Sequence, residues 1–284
     1  MAVLKLSRAN LAIGDGQPLF VIAGLNVLED EALALAVGRR LKEIATGLAL
    51  PYVFKASFDK ANRSSIFSYR GPGLEKGLEI LRRVRSELDV PICTDVHEVA
   101  QVTSVAEVAD LVQIPAFLCR QTDLVSAAAK AARAAGALLH IKKGQFLAPL
   151  DCRSILDKAA EAAGGDLVIL CERGVSFGYN NLVVDMLSIP QMQELGVPVT
   201  IDATHAVQLP GAQAGSNGAS TGGRRSGVPV IARAAVAAGA DGVFLEFHPE
   251  PDKALCDGPS CLPLDAAEPL LRQLKALHGT VRSA

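Results

Sequence analysis

The stretch Tyr52-Val53-Phe54-Lys55-Ala56-Ser57-Phe58-Asp59-Lys60-Ala61-Asn62-Arg63-Ser64-Ser65 leads to the turn Gly71-Pro72-Gly73. Beyond the turn, Leu74, Leu78, Leu81, Val84 and Leu88 recur at three- and four-residue steps with charges between them. The apolar start predicts a buried strand and the spaced leucines predict an amphipathic helix. Between them, where the strand opens into a loop, lie three cations (Lys55, Lys60, Arg63) and three hydroxyls (Ser57, Ser64, Ser65). Arginine offers a phosphate a two-pronged fork and lysine a compact point charge, while hydroxyls and loop amides fill the remaining acceptors. A lone cluster of this kind is more often a solvated surface loop. Lys55, however, directly continues the apolar run, where an unpaired cation is costly. The stretch therefore reads as an anion-binding strand end.

The same strand–loop–helix unit recurs along the chain. Apolar runs occupy Leu19 to Leu25, Tyr52 to Phe54, Val90 to Cys93, Leu111 to Ile114, Ala137 to Ile141, Leu167 to Cys171, Val199 to Ile201 and Val243 to Phe247. Leu33, Val37, Leu41 and Ile44 mark the first helix, and alanine-rich segments at 126–136 and 232–239 favour helix by propensity. Runs apolar on both faces suit a parallel sheet flanked by helices. Eight such units in 284 residues predict the α/β class and a (β/α)8 TIM barrel. An open doubly wound sheet would want a glycine-rich phosphate loop after the first strand, but Gly24 is followed by Leu25, Asn26 and Val27. Val3, Leu4, Leu6, Leu11 and Ile13 with Asp15-Gly16 predict a short N-terminal β-hairpin within 1–18, ahead of the barrel at 19–284. With no linker in view, 1–284 reads as one barrel domain, and Gly211 to Gly223 as a long, mobile lid after the seventh strand.

Half the residues are apolar, a fifth are charged and the net charge is −2, which argues against nucleic acid or a membrane as the main partner. Cations gathered in one place are then more informative than in a basic protein. The six cysteines form no CxxC pair, so reduced thiols in a cytoplasmic protein are expected. Met1 to Asn10 lacks the apolar core of a signal peptide, and no apolar run is long enough to span a bilayer.

A barrel places its active site at the C-terminal strand ends. Polar residues collect there: Asn26, Lys55 with Ser57, Asp95 with His97, Gln113, His140 with Lys142, Arg173, His205, and Glu246 with His248. Period-two alternation puts each pair on one face. The expected mouth is rich in cations (Lys55, Lys60, Arg63, Arg120, Lys142, Arg173, Arg224, Arg225) and suits more than one phosphate or carboxylate. A buried lysine near phosphates would also serve a Schiff-base aldolase, but so dense a set of cations suits two anionic substrates better.

The first stretch, with Ser68-Tyr69-Arg70-Gly71-Pro72-Gly73, resembles the 3-deoxy-D-manno-octulosonate 8-phosphate synthases, also called 2-dehydro-3-deoxyphosphooctonate aldolases. Matching segments follow in order: Thr94 to Glu98, Gln113 to Phe117 with Arg120 to Asp123, Lys142 to Phe146, Glu172 to Gly174 with Phe177 to Tyr179, Asp202 to His205, Gly222 to Arg225, and Glu246 to Gly258. The resemblance implies condensation of phosphoenolpyruvate with D-arabinose 5-phosphate and water, releasing phosphate by C–O cleavage, with a place in lipopolysaccharide biosynthesis. It places phosphoenolpyruvate deep, against Lys60, Lys142, Arg173, Ser57 and Gln113, with Lys55, Ala116 and His205 in the same binding set. The sugar phosphate is expected near the rim at Asn62, Arg63 and Ser64, which in the family can come from a neighbouring subunit. Asn26, Lys60, Asp95, His205, Glu246 and Asp257 form the implied catalytic set.

In metal-dependent relatives a cysteine at the position of Asn26 joins the counterparts of His205, Glu246 and Asp257. The amide here implies a metal-independent type, with no metal and no cofactor. Phe67 stands where relatives commonly have histidine. The family is usually tetrameric, which implies a homotetramer. The sister synthase acting on erythrose 4-phosphate typically has Lys-Pro-Arg-Thr in the loop, whereas Ala61 and Asn62 favour the five-carbon sugar. A non-catalytic phosphosugar-sensing barrel could lose His205, Glu246 or Asp257; all three are present.

Overall fold

The structure, a computed structural model, describes residues 2–213 and 220–282. Eight parallel strands form the barrel: β1 (Phe20–Val27), β2 (Tyr52–Ser57), β3 (Ile92–Asp95), β4 (Leu111–Ile114), β5 (Leu138–Lys142), β6 (Val168–Glu172), β7 (Val199–Asp202) and β8 (Gly242–His248). Each pairs with the next, and β8 pairs with β1, so the sheet closes on itself. The helices are α1 (Glu31–Gly47), α2 (Leu74–Leu88), α3 (Val102–Val108), α4 (Thr122–Ala135), α5 (Arg153–Ala163), α6 (Ser188–Gln193), α7 (Val228–Ala237) and α8 (Ala267–Arg282). All eight expected runs are strands, and the alternating order is that of a (β/α)8 barrel.

The strands are buried on both faces, as a sheet between helices and a filled interior requires. One face meets the helices through aliphatic residues such as Leu41, Leu81 and Val125, all in the core. Gly24 of β1 lies against β2 so closely that a Cβ would stand 2.0 Å from the Lys55 carbonyl oxygen. Glycine there lets the two strands meet at full register, with Gly24 opposite Lys55. Between Gly24 and Val27 the register shifts, and Asn26 falls in that irregular step.

Strand β2 runs further than the apolar run that predicted it. It continues through Ser57, so Lys55, Ala56 and Ser57 belong to the strand; Lys55 is tolerated there because Glu246, on the other strand that flanks β1, meets its charge. α3 has seven residues and α6 has six, much shorter than the other helices. The expected lid is described only at its flanks, where Gln208-Leu209 pairs antiparallel with Gly222-Gly223; residues 214–219 lie outside the described residues.

The N-terminal hairpin, Val3–Leu6 with Leu11–Gly14, is present. It buries Leu4, Leu6 and Ile13 in the core. Its Arg8 donates to the Ala106 carbonyl at 3.2 Å, and the Ala2 amide donates to the Gly196 carbonyl at 3.0 Å. Both acceptors precede barrel strands, so the hairpin sits at the end opposite the polar mouth. No helix among the described residues is long and apolar enough to cross a membrane.

Candidate active site

A cavity of about 690 Å³ opens at the C-terminal ends of the strands. Its wall includes Lys55, Lys60, Asn62, Arg63, Ser64, Asp95, Gln113, Ala116, Lys142, Arg173, His205 and Asp257, drawn from β2 to β5 and from the loops that follow β2, β4, β6, β7 and β8. Convergence of so many strand ends is a consequence of closure: each strand delivers its last inward side chain to one axis.

The deepest charge pair joins β2 to β8. Lys55 Nζ donates to Glu246 Oε1 at 2.7 Å and to the Asn26 carbonyl at 3.0 Å, and both side chains are buried. Burial opposes the Lys55 charge, but Glu246 and Asp95 outweigh it and hold the ammonium above its ordinary range. Burial likewise opposes ionisation of Glu246, yet His205, Lys55 and Lys60 bring its carboxyl down to about 2. Lys55 is therefore a fixed cation and not a free amine, which removes the basis for Schiff-base chemistry at this position.

Asn26 is the hub of a second cluster. Its Nδ2 donates to Glu246 Oε2 at 2.5 Å and to Asp257 Oδ2 at 3.1 Å, with His205 Nε2 at 3.4 Å. His205 Nδ1 faces Asp202 Oδ2 at 2.8 Å, and the His205 backbone amide donates to Asp202 Oδ1 at 2.8 Å. The same Oδ2 accepts from Lys142 Nζ at 2.5 Å. Burial would raise the Asp202 pKa, but His205, Lys142 and Arg173 hold it well below the usual carboxylate range. Sequence patterning misses Asp202 because the apolar run stops at Ile201; the strand continues one residue further.

On the opposite wall, Asp95 Oδ2 meets His97 Nε2 at 3.0 Å, while Asp95 Oδ1 is buried without a hydrogen-bond partner. Burial opposes the Asp95 charge, but His97, Lys60 and Lys55 hold its pKa well below the ordinary value. Arg173 donates to the His205 carbonyl at 3.3 Å and to Gln208 Oε1 at 2.8 Å. Arg63 at the rim leans on Cys256 Sγ and the Leu255 carbonyl, with its Nε buried and unpartnered.

Several expected positions fall elsewhere. Arg120, Arg224 and Arg225 are not on the cavity wall. Arg224 lies 3.4 Å from the Leu182 carbonyl, and Arg225 braces the loop after β8 through Asp252 and the Gly258 carbonyl. Ser57 ends β2 with its hydroxyl buried and unpartnered, off the cavity wall. Asn26 and Glu246 also stand behind the wall, bonded to residues that line it. His140 belongs to the barrel filling, between Gln113 Oε1 at 3.0 Å and Thr200 Oγ1 at 2.9 Å; burial and the neighbouring Lys142 keep it neutral, with its pKa down at about 3. His248 faces Glu29 at 3.5 Å and is not on the cavity wall.

The residues around His205 fit a divalent metal poorly. His205 Nε2 stands 3.7 Å from both Glu246 Oε2 and Asp257 Oδ2, but the fourth group, Asn26, points an N–H at each carboxylate. An amide nitrogen has no lone pair to give a cation, and its hydrogens already satisfy the oxygens that would bind one. Among the described residues no group of three or more His, Cys, Asp or Glu side chains is arranged to hold a metal ion.

A closed (β/α)8 barrel whose mouth holds four buried cations and one half-buried cation above ionised carboxylates belongs to the class of barrel enzymes that bind and rework anionic substrates. The model of the DAHP synthetase I family matches residues 3–282, and the chain belongs to that family. It is 52% identical over 280 residues to a 2-dehydro-3-deoxyphosphooctonate aldolase of Geotalea daltonii, covering 99% of this chain and 100% of that protein. A protein of the same name from Desulfosudis oleivorans is 54% identical over 270 residues, 95% of this chain and 94% of its own. Another, from Marinobacter nauticus, is 52% identical over 283 residues, spanning 100% of this chain and 98% of its own.

Proposed function

We propose that the protein condenses phosphoenolpyruvate with D-arabinose 5-phosphate and water to give 3-deoxy-D-manno-octulosonate 8-phosphate and inorganic phosphate, supplying lipopolysaccharide synthesis in the cytoplasm. The observation that carries this reading is a single cavity with cations at two depths: Lys55, Lys142 and Arg173 within, Arg63 at the rim. Relatives of matching length and about half-identical sequence carry the aldolase name.

Phosphoenolpyruvate lies against Lys60, Lys142, Arg173, Gln113 and Ala116, and the sugar phosphate against Arg63, Ser64 and Asn62. The enol carbon attacks the sugar aldehyde, water adds to the cationic carbon left behind, and the hemiketal phosphate collapses with C–O cleavage. Fixed cations stabilise the charge that spreads over the phosphate as it departs. Asp202 anchors the His205 backbone amide and stands 2.8 Å from its Nδ1, which leaves Nε2 to accept a proton from the incoming water and return it to a leaving oxygen. Lys60 and Asp95 face the aldehyde oxygen and sugar hydroxyls, and Asp257 with Asn26 and Glu246 holds the water side of the site. Because Asn26 donates to both carboxylates, the reaction is proposed to need no metal and no cofactor.

The chain is further proposed to act as one barrel domain and to assemble as a homotetramer. Large apolar side chains stand exposed in loops after β2, β4, β5 and β6, among them Phe67 at 95%, Phe117 at 56%, Phe146 at 64% and Tyr179 at 98%. Such loops are candidates for burial against other copies.

The decisive test is phosphate release from phosphoenolpyruvate with arabinose 5-phosphate after exhaustive chelation. Full-rate release is the expected result. Release only on adding back a divalent metal would retain the substrates and overturn the role given to Asn26. Release with erythrose 4-phosphate alone would move the chain to the sister activity.

A further inference from the structure

We propose that Phe244 is a positioning residue of the anion pocket, its ring face holding the ammonium of Lys142, and at longer range that of Lys55, in place for an anionic substrate. The inference rests on the reading that Lys142 binds phosphoenolpyruvate. Phe244 lies in β8, fully buried, and nothing in its sequence context sets it apart from other core aromatics. Lys142 Nζ stands 3.8 Å from its ring centroid and Lys55 Nζ 5.2 Å, both within the range at which a ring quadrupole attracts a cation. The rings of His140, at 6.1 Å and 10°, and of His205, at 5.9 Å, pack on the same residue.

The chemistry explains why a ring serves here. An ammonium has three N–H groups to satisfy. Asp202 Oδ2 takes one from Lys142 at 2.5 Å. A second carboxylate below it would cancel the positive charge that a substrate phosphate or carboxylate must find. The negative face of a phenyl ring stabilises the cation without adding net charge. Neutral His140 beside it adds no competing cation. Phe244 thus supports the buried face of Lys142, while Lys142 still reaches the cavity wall.

The test replaces Phe244 site-specifically with phenylalanine analogues of increasing ring fluorination, which keep shape while draining the ring's negative face. The KM for phosphoenolpyruvate is expected to rise stepwise along the series, by roughly tenfold at full fluorination, with little change in melting temperature. A flat KM across the series would overturn the proposal, and so would a fall in melting temperature that accounts for the whole loss. Phe244→Leu is expected to raise the same KM; should it not fold, the fluorinated series decides. In the unsubstituted enzyme the ammonium protons of Lys142, followed in protein labelled with 15N-lysine, are expected upfield of those of the other lysines. That readout needs no turnover. If the enzyme released no phosphate with either sugar, the functional reading would fail while the upfield position still tested the ring contact, and its absence would refute the contact.

Discussion

Glu246 touches Lys55 through one oxygen and Asn26 through the other, with no exposure to solvent. Its carboxyl titrates at about 2 in the folded chain, below the ordinary 4.5. A depressed carboxylate contributes stability that is fully present above the unfolded value and is lost as the pH falls through the folded one. Urea midpoints should therefore fall between about pH 4.5 and pH 2 in the parent, and Glu246→Gln should lack this component. At neutral pH the same variant leaves the Lys55 cation buried without its partner and is expected to lose about 3–5 kcal/mol of stability. A midpoint equal to the parent's would show that the pair contributes nothing net. The buried thiols give another residue-scale expectation. Burial pushes Cys93, Cys152, Cys171 and Cys256 up to about 12 and Cys119 and Cys261 also upward. Alkylation of the native protein at pH 8 should be slow at all six, and rapid in denaturant. The cation Lys55 was legible in the sequence, because a lysine that continues an apolar run needs a partner. Asp202 and Phe244 were not. Asp202 lies one residue past an apolar run, and Phe244 is indistinguishable from any core aromatic until the barrel closes around it.

Two helical glycines separate what packing demands from what helix propensity prefers. Gly77 lies within α2, and a Cβ there would stand 2.3 Å from the Cβ of Phe58, which itself packs edge-on against His97 at 5.7 Å. Gly279, within α8, has open space where its Cβ would be. Propensity alone favours alanine at both by up to about 1 kcal/mol. Gly279→Ala is expected to raise the melting temperature, whereas Gly77→Ala forces α2 away from the loop after β2 and should cost roughly 1–3 kcal/mol. Equal effects at the two sites would contradict the close packing of α2. The eight strands were legible because a run apolar on both faces has few other uses. The extension through Ser57 was legible only in part: alternation put Lys55 and Ser57 on one face at the strand end, but Glu246, which meets the Lys55 charge, comes from β8 and is distant in sequence. The short α3 and α6 carry too few turns for periodicity to bound them.

At the scale of the whole molecule, a net charge of −2 coexists with a cavity walled by Lys55, Lys60, Arg63, Lys142 and Arg173. Opposite signs on surface and cavity make substrate capture sensitive to screening, so both substrates' KM values should rise with salt above the physiological range. Sedimentation at micromolar concentration is expected to give a four-chain species; a monomer at every concentration would refute the proposed tetramer. Fold class and cation content could be read from the chain; the proposed tetramer came only from the family resemblance, and the exposed loop residues offered for it, such as Phe67 and Tyr179, become visible only in three dimensions. The N-terminal hairpin closes the far end of the barrel, with Leu4, Leu6 and Ile13 packed into the core. Among the described residues the cavity is thus a blind alley that opens at the strand ends. With phosphoenolpyruvate on Lys142 and the sugar phosphate at Arg63, as proposed, the deeper guest is expected to arrive first and the outer one to leave first.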